Sequence, residues 1–296
     1  MKMNLPRAAC LFAAFGCLGN AARVAAAESG EAPPDKSQYT LLNPTPAAWL
    51  REMTTDRPDK TESPFTVDAG HFQVEMDLVT YSLDRHNVAR DDTRVQSWGV
   101  APINLKLGLC NSVDLQLVVQ PYSRVRTSSA TAGTLERVSG FGDLTTRLKV
   151  NLWGNDGGTT ALALMPFVKW PTAKGTLSNG SLEGGLIVPF AVELPRGWSM
   201  GLMAELDLIR DGVGRGHHPE FVHTITFGHD IIGKLAGYAE FFSSVSTERG
   251  SSWVGTVDCG LTYALTPNVQ LDAGVNIGVT RAADDIAPFV GISFRF

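Results

Sequence analysis

From Phe72 onward, apolar and polar residues alternate in stretches of about ten residues, separated by turn formers. In the first stretch Phe72, Val74, Met76 and Leu78 share one face, and His71, Gln73, Glu75 and Asp77 share the other. Val113, Leu115, Leu117 and Val119 oppose Asp114, Gln116 and Gln120. Leu144, Leu148, Val150 and Leu152 oppose Asp143, Arg147, Lys149 and Asn151. Trp198, Met200, Leu202, Leu206 and Leu208 oppose Glu205 and Asp207, and Val269, Leu271, Val275 and Ile277 oppose Gln270, Asp272 and Asn276. A period of two places successive side chains on opposite faces of a strand. With weaker segments included, the pattern predicts about twelve strands, starting near 71, 97, 113, 142, 160, 183, 198, 220, 235, 253, 269 and 288. The segments near 160, 220 and 235 are poorly phased. Around 220, Phe221, His223, Ile225 and Phe227 alternate with Val222, Thr224 and Thr226, and either set suits the apolar face.

The connections sort into two kinds. Short turns at 110–112, 153–158, 195–197, 230–233 and 266–268 alternate with longer polar links at 84–94, 123–141, 171–181, 210–219, 244–251 and 279–287. That rhythm predicts an all-β, antiparallel, up-and-down transmembrane barrel, with tight turns at one rim and longer loops at the other. A soluble barrel with its apolar face inward is the competing arrangement, but about eight strands already enclose a space that side chains can fill. Twelve strands with a polar inner face therefore fit lipid outside and water inside. A one-residue slip would move Lys106, Arg147, Lys149 and Arg295 to the lipid side, at roughly 2–4 kcal/mol each near mid-bilayer.

The ends add direction. Lys2 and Arg7 precede an apolar run from Ala8 to Gly19, and Ala25-Ala26-Ala27 precede Glu28, so residues 1–27 read as a secretory signal peptide. Residues 28–68 read as a periplasmic linker with a short irregular segment, and 69–296 as the barrel in the bacterial outer membrane. Leu41, Leu42, Trp49 and Leu50 are the linker's docking candidates. Val290, Ile292, Phe294 and Phe296 share one face of the last strand. Phe294 and Phe296 thus form an aromatic ending that resembles the signal read by the barrel assembly machinery. After residue 27 no apolar run reaches the ~20 residues of a membrane helix. Loss of Lys2, Arg7 and Arg23 takes the net charge from −5 to −8, which argues against nucleic acid. Cys110 and Cys259 have no metal or disulfide spacing.

The stretch Thr54–Glu75, TTDRPDKTESPFTVDAGHFQVE, begins with charges and prolines that no core would accept. Together with GFGDLTTRLKVNLW (140–153), FVKWPTAKG (167–175) and the ending FVGISFRF, it resembles the proteobacterial "MetA-pathway of phenol degradation" family over residues 54–296. Asp56-Arg57-Pro58-Asp59, Thr61-Glu62-Ser63-Pro64 and the Gly140-x-Gly142-Asp143 run carry most of that resemblance. It implies an outer-membrane transporter and passage of phenolic or other small hydrophobic or aromatic solutes.

Three function classes follow. In the first, a channel, Asp56, Arg57, Asp59, Lys60 and Glu62 form a gate or plug that pairs with luminal charges such as Glu75, Lys106, Arg147 and Lys149. The prolines keep that segment out of the sheet. Gln73, Glu75, Asp77, Asn104, Lys106, Asp114, Gln116, Arg147, Lys149, Glu205, Asp207, Asp258, Asp272 and Arg295 line the lumen. Tyr238, Glu240 and Phe242 share a face that adds aromatic contact, or simply buries them. In the second class, a non-specific porin or structural barrel, the same charges only fill space. The third, an outer-membrane hydrolase, needs a nucleophile beside a base, and no G-x-S-x-G occurs. His71, His223 and His229 read as rim or interface residues. His217-His218 with Asp211 and Glu220 are metal-ligand types, but adjacent loop histidines are more often polar filler. The reading expects no metal site and no cofactor. Passive diffusion is the expected mode.

Overall fold

The computed structural model describes residues 35–87, 93–129 and 133–296, with no side-chain description for His86, Asn87 and Thr176. The signal segment and the start of the linker lie outside the described residues. Within them, fifteen β-segments form one antiparallel sheet that closes on itself. They are β1 (Phe72–Asn87), β2 (Thr93–Val100), β3 (Ile103–Cys110), β4 (Val113–Val119), β5 (Tyr122–Ser129), β6 (Thr134–Gly140), β7 (Leu144–Trp153) and β8 (Thr160–Trp170). There follow β9 (Glu183–Leu194), β10 (Trp198–Arg210), β11 (His217–Ile232), β12 (Leu235–Ser246), β13 (Val254–Thr266), β14 (Val269–Gly278) and β15 (Ile286–Arg295).

Three pairs are single strands interrupted near mid-length: β2 with β3, β4 with β5, and β6 with β7. The barrel therefore has twelve strands. The interruptions fall at neighbouring positions. Ala101, with φ of 53°, and Pro102 break the first, Gln120-Pro121 the second, and Phe141-Gly142-Asp143 the third. Beside them β1 carries a register shift between Asp77 and Val79. Proline withholds the ladder donor at two of these points. Across the second and third breaks, Gly142 N–H donates to the Gln120 carbonyl at 2.8 Å, and a Cβ on Gly142 would lie 2.6 Å from Gln120 Cβ.

Closure runs through β1 and β15, with Gln73 opposite Arg295 and Val74 opposite Phe294. Phe72 and Phe296 exchange both backbone hydrogen bonds at 3.0 Å, and their rings stack 5.8 Å apart. A closed ladder satisfies the wall's peptide groups internally, which a lipid environment requires. The outward face matches: Leu105, Leu115, Leu148, Leu206, Phe241, Val257, Leu271 and Val290 are all exposed. Trp153, Trp198 and Tyr263 ring the short-turn rim, while Trp170 and Trp253 stand toward the long loops. This is the aromatic girdle of a membrane barrel.

Several links are shorter than the sequence pattern predicts. The 123–141 link is mostly strand, because β5 and β6 extend the wall on either side of 130–133. Likewise β1 runs to Asn87 and β11 starts at His217. The β5 and β6 extensions are rich in Ser, Thr and Arg, and the ends of β1 and β11 are polar or histidine-rich, so they carry little apolar alternation to read. The ambiguous 220 segment is settled: Val222, Thr224 and Thr226 are buried inside, and Phe221 and Phe227 face out.

Candidate functional site

Between Arg51 and Asp68 the chain leaves the wall and passes through the barrel interior. Pro58 and Pro64 lack the N–H a ladder needs, and the charges between them find partners only inside. Both ends of the segment are tied at the short-turn rim. Arg51 N–H donates to Asp68 Oδ2 at 3.0 Å, and Arg51 Nη1 lies 3.2 Å from both Asn111 O and Asp156 Oδ1. Lys36 bridges Asp68 at 3.3 Å and Asp156 at 3.0 Å. Thr66 N–H donates to Asn155 Oδ1 and Val67 N–H to Asp114 Oδ2, each at 3.0 Å. Arg295 donates to the Arg51 carbonyl at 2.8 Å and to Asn268 Oδ1. Gly108 makes the return path possible, since a Cβ there would sit 2.1 Å from the Asp68 carbonyl oxygen.

Deeper in the barrel, charged residues of the segment meet opposite charge on the wall. Asp56 takes Lys106 Nζ and Lys149 Nζ, each at 2.6 Å, and the two lysine side chains are only 2% and 0% exposed. Glu75 accepts Lys106 at 2.7 Å and the Asp56 N–H at 3.0 Å. Arg57 reaches Asp77 at 2.7 Å and Asp272 at 2.6 Å. Lys60 pairs with Asp258 at 3.1 Å and donates to Thr256 Oγ1 at 2.8 Å. Glu240 caps the tip by accepting the N–H groups of Lys60 at 2.9 Å and Thr61 at 2.8 Å. Glu62 binds Arg147 at 2.5 Å. Burial pushes the Asp56 carboxyl up, but Lys106 and Lys149 outweigh it and hold the group well below the usual range. Asp59, only partly covered although it lies deep in the barrel, is held well above that range by burial and by the Glu240 carboxylate.

Every sequence-predicted lining residue lies on an inward strand position. Gln73 donates to the Thr54 carbonyl and to Glu75, each at 2.7 Å. Asn104 donates to Gln116 at 3.1 Å, and Gln116 to Asp114 at 3.0 Å. Glu205 and Asp207 are neighbours on the inner face of β10, beyond the plug toward the long loops. Phe294 and Phe296 lie at the closing seam, their rings 6.2 Å apart. Of the linker's docking candidates, Trp49 packs edge-on against Tyr39 at 5.9 Å, whereas Leu42 is 93% exposed. Cys110 and Cys259 are free.

Sequence reading missed two groups. Arg51, Asp68, Lys36, Asn155 and Asp156 anchor the interior segment, yet the last two look like ordinary turn formers. Met165, Ile187, Met203 and Val222 form a buried apolar cluster on the inner wall, flanked by Phe167 and Phe242. Its signal was the poor phasing near 160 and 220: strands apolar on both faces lose alternation. The plug rests against this cluster, with Glu62 N–H 3.5 Å from Met203 Sδ and Lys60 Nζ 4.4 Å from the centre of the Phe242 ring.

The fold is similar to solved outer-membrane proteins to different degrees. The COG4313 outer membrane channel from Pseudomonas putida F1 superposes with a TM-score of 0.61 at 16% identity, covering 82% of this chain and all of that one. The toluene transporter TbuX from Ralstonia pickettii gives 0.43 at 9% identity, over 76% of this chain and 88% of its own. The β domain of the Bordetella autotransporter BrkA gives 0.47 at 15%, over 76% and 99%. A search of curated proteins finds no match. The fold is that of an outer-membrane β-barrel. A family model matches residues 55–296, from the first charges of the plug to the last residue of the barrel. On that match, the chain belongs to the family described as "MetA-pathway of phenol degradation".

Proposed function

We propose that the protein is an outer-membrane channel for passive passage of small hydrophobic or aromatic solutes, with residues 51–68 as its gate. One observation carries the reading: a segment outside the sheet fills the lumen through ion pairs that side-chain rearrangement can break. Behind it the wall carries Met165, Ile187, Met203 and Val222, buried while the segment is docked and flanked by Phe167 and Phe242, and release of the segment would bare a surface suited to an apolar solute rather than a sugar. The family description names phenol, which agrees with that solute class. Export by the 1–27 signal peptide, and insertion by the barrel assembly machinery through the Phe294–Phe296 ending, belong to the same proposal.

A second reading has its own support. Lys106 and Lys149 are so well buried against Asp56 that a permanent plug in a structural barrel also fits. Deletion of 54–64 separates the two. In planar bilayers the gated channel shows brief, small openings that the deletion turns into large, steady ones. Liposomes carrying the wild type admit phenol faster than a sugar of similar mass. A wild type silent toward every solute, beside an open deletion, supports the permanent plug. Unchanged conductance in the deletion removes the gate.

A further inference from the structure

Two loops at the long-loop rim bring together three side chains of the metal-binding kind. Asp211 follows β10, His218 is the second residue of β11, and Glu248 lies in the connection after β12. One ligand atom from each lies within 4.8 Å of the other two. His218 Nδ1 is 3.0 Å from Asp211 Oδ1, and the imidazole is only 11% exposed. Glu248 Oε1 accepts the Gly212 N–H at 2.6 Å. Backbone contacts set the frame around them. Asp211 N–H donates to the Gly216 carbonyl at 3.0 Å, and Thr247 donates to the Pro219 carbonyl through its N–H at 3.0 Å and its hydroxyl at 2.8 Å. Gly216 leaves room for the Asp211 carboxylate, since a Cβ there would lie 2.3 Å from Asp211 Oδ2 and displace it.

We propose that Asp211, His218 and Glu248 form a binding site for a divalent cation of the zinc class, which ties the β10–β11 loop to the β12–β13 loop. One imidazole with two carboxylates suits zinc, copper or nickel, whereas calcium and magnesium take oxygen ligands. Bonds of about 2.0–2.2 Å place tetrahedral ligand atoms roughly 3.4 Å apart. The Asp211–His218 pair already stands close to that spacing, and rotation of the Glu248 carboxylate brings in the third ligand. Three protein ligands leave a fourth position for water. To bind, His218 must present a lone pair in place of the hydrogen it shares with Asp211. Two residues near in sequence stand outside the set. Glu220 accepts the Ser244 hydroxyl at 2.6 Å, and His217 Nε2 is engaged with Leu182 O at 3.0 Å and Ser181 Oγ at 3.2 Å. A search for adjacent histidines therefore lands on the wrong partner, since the third ligand comes from a different loop.

The test is calorimetric titration of Zn²⁺ into untagged, chelator-stripped full-length protein in detergent micelles. The site predicts one ion per chain. His218→Ala and Glu248→Gln each weaken binding by more than the roughly 10–100-fold that loss of a supporting group costs. His217→Ala leaves binding unchanged. Each variant must keep the heat-sensitive gel mobility of a folded barrel, and Glu248→Gln carries the test if His218→Ala does not. No stoichiometric zinc binding, or a His217→Ala loss equal to that of His218→Ala, overturns the site.

Discussion

The inner wall has two unlike sides. On β1, β3, β4, β7, β13 and β14 it presents Glu75, Asp77, Lys106, Asp114, Arg147, Lys149, Asp258 and Asp272, and nearly all of these touch the plug. On β8 to β11 it presents Ala161, Ala163, Met165, Ile187, Met203 and Val222. The ion pairs to the plug come from the first side, while on the second Thr224, and beside it Glu240 of β12, bond Thr61 next to the buried apolar cluster, with Glu205 and Asp207 nearer the long loops. Such an asymmetry suits a gate that has one docked position yet lets go without unzipping the barrel. Buried ion pairs add little net stability compared with apolar replacements, but removing one partner strands the other and is costly. In the proposed gate, the charged side would set where the segment docks, and the apolar side what passes once it has left.

The comparison breaks most readily at Asp56. Asp56→Ala removes the carboxylate shared by Lys106 and Lys149, and leaving buried charge without its partner costs about 3–5 kcal/mol. The expected result is a plug that is mostly undocked while the barrel stays folded. Trypsin then cuts after Lys60, which the wild type protects, and conductance rises toward that of the 54–64 deletion. A protected Lys60 in Asp56→Ala would show that the anchors at Arg51 and Asp68 hold the segment unaided.

Much of this asymmetry is legible in the sequence. Strict alternation marks Glu75, Asp114, Lys149 and Asp272 as inward, because lipid tolerates no charge at those positions. Prolines at 58 and 64 mark the plug as something other than a strand. The pairings are harder to read: Arg57 with Asp272 and Lys60 with Asp258 join residues some two hundred positions apart, which only barrel closure brings together. The apolar luminal side is illegible for a different reason. Where Ala163 and Met165 face in while Leu162 and Leu164 face lipid, the period-two signal vanishes. The kink at Gln120-Pro121 likewise splits a strand that the pattern reads as strand and loop, whereas the one at Ala101-Pro102 falls within a strand that the pattern reads as continuous.

On the apolar side, Met203→Ala should act on stability and solute preference rather than on docking. Deleting a buried methionine side chain costs roughly 2–5 kcal/mol, the lower end where neighbours collapse into the space. Urea titration of the barrel in micelles should show that loss, and Lys60 should stay protected from trypsin. Phenol entry into liposomes should change by more than sugar entry. Equal changes for both solutes would remove the claim that this surface discriminates.

Acidity sharpens the comparison from within the plug. Asp59 holds its proton more tightly when docked, so the docked state binds more protons than the free one between the ordinary carboxylate range and the raised value. Docking therefore tightens as pH falls through that window and loosens as pH rises through it. Asp56 has the opposite sign: its pull is present above the ordinary range and is lost only in stronger acid. Mild acidification should thus lower open probability in planar bilayers, and Asp59→Asn should flatten that response. A wild-type profile that opens in mild acid would contradict the burial of Asp59 against Glu240.

The smallest effect is expected at a charged pair that never meets the plug. Lys169 on β8 reaches Glu183 on β9 at 2.9 Å, but its side chain is 34% exposed, so water and salt screen the attraction. Glu183 keeps two other donors, the Arg210 N–H at 3.0 Å and Asn179 at 2.7 Å. Lys169→Gln should therefore cost less than about 1 kcal/mol and leave both protease protection and conductance as they are. If this variant opens the channel as Asp56→Ala does, then charge anywhere on the inner wall governs the gate. The division between a docking side and a sliding side would then be wrong.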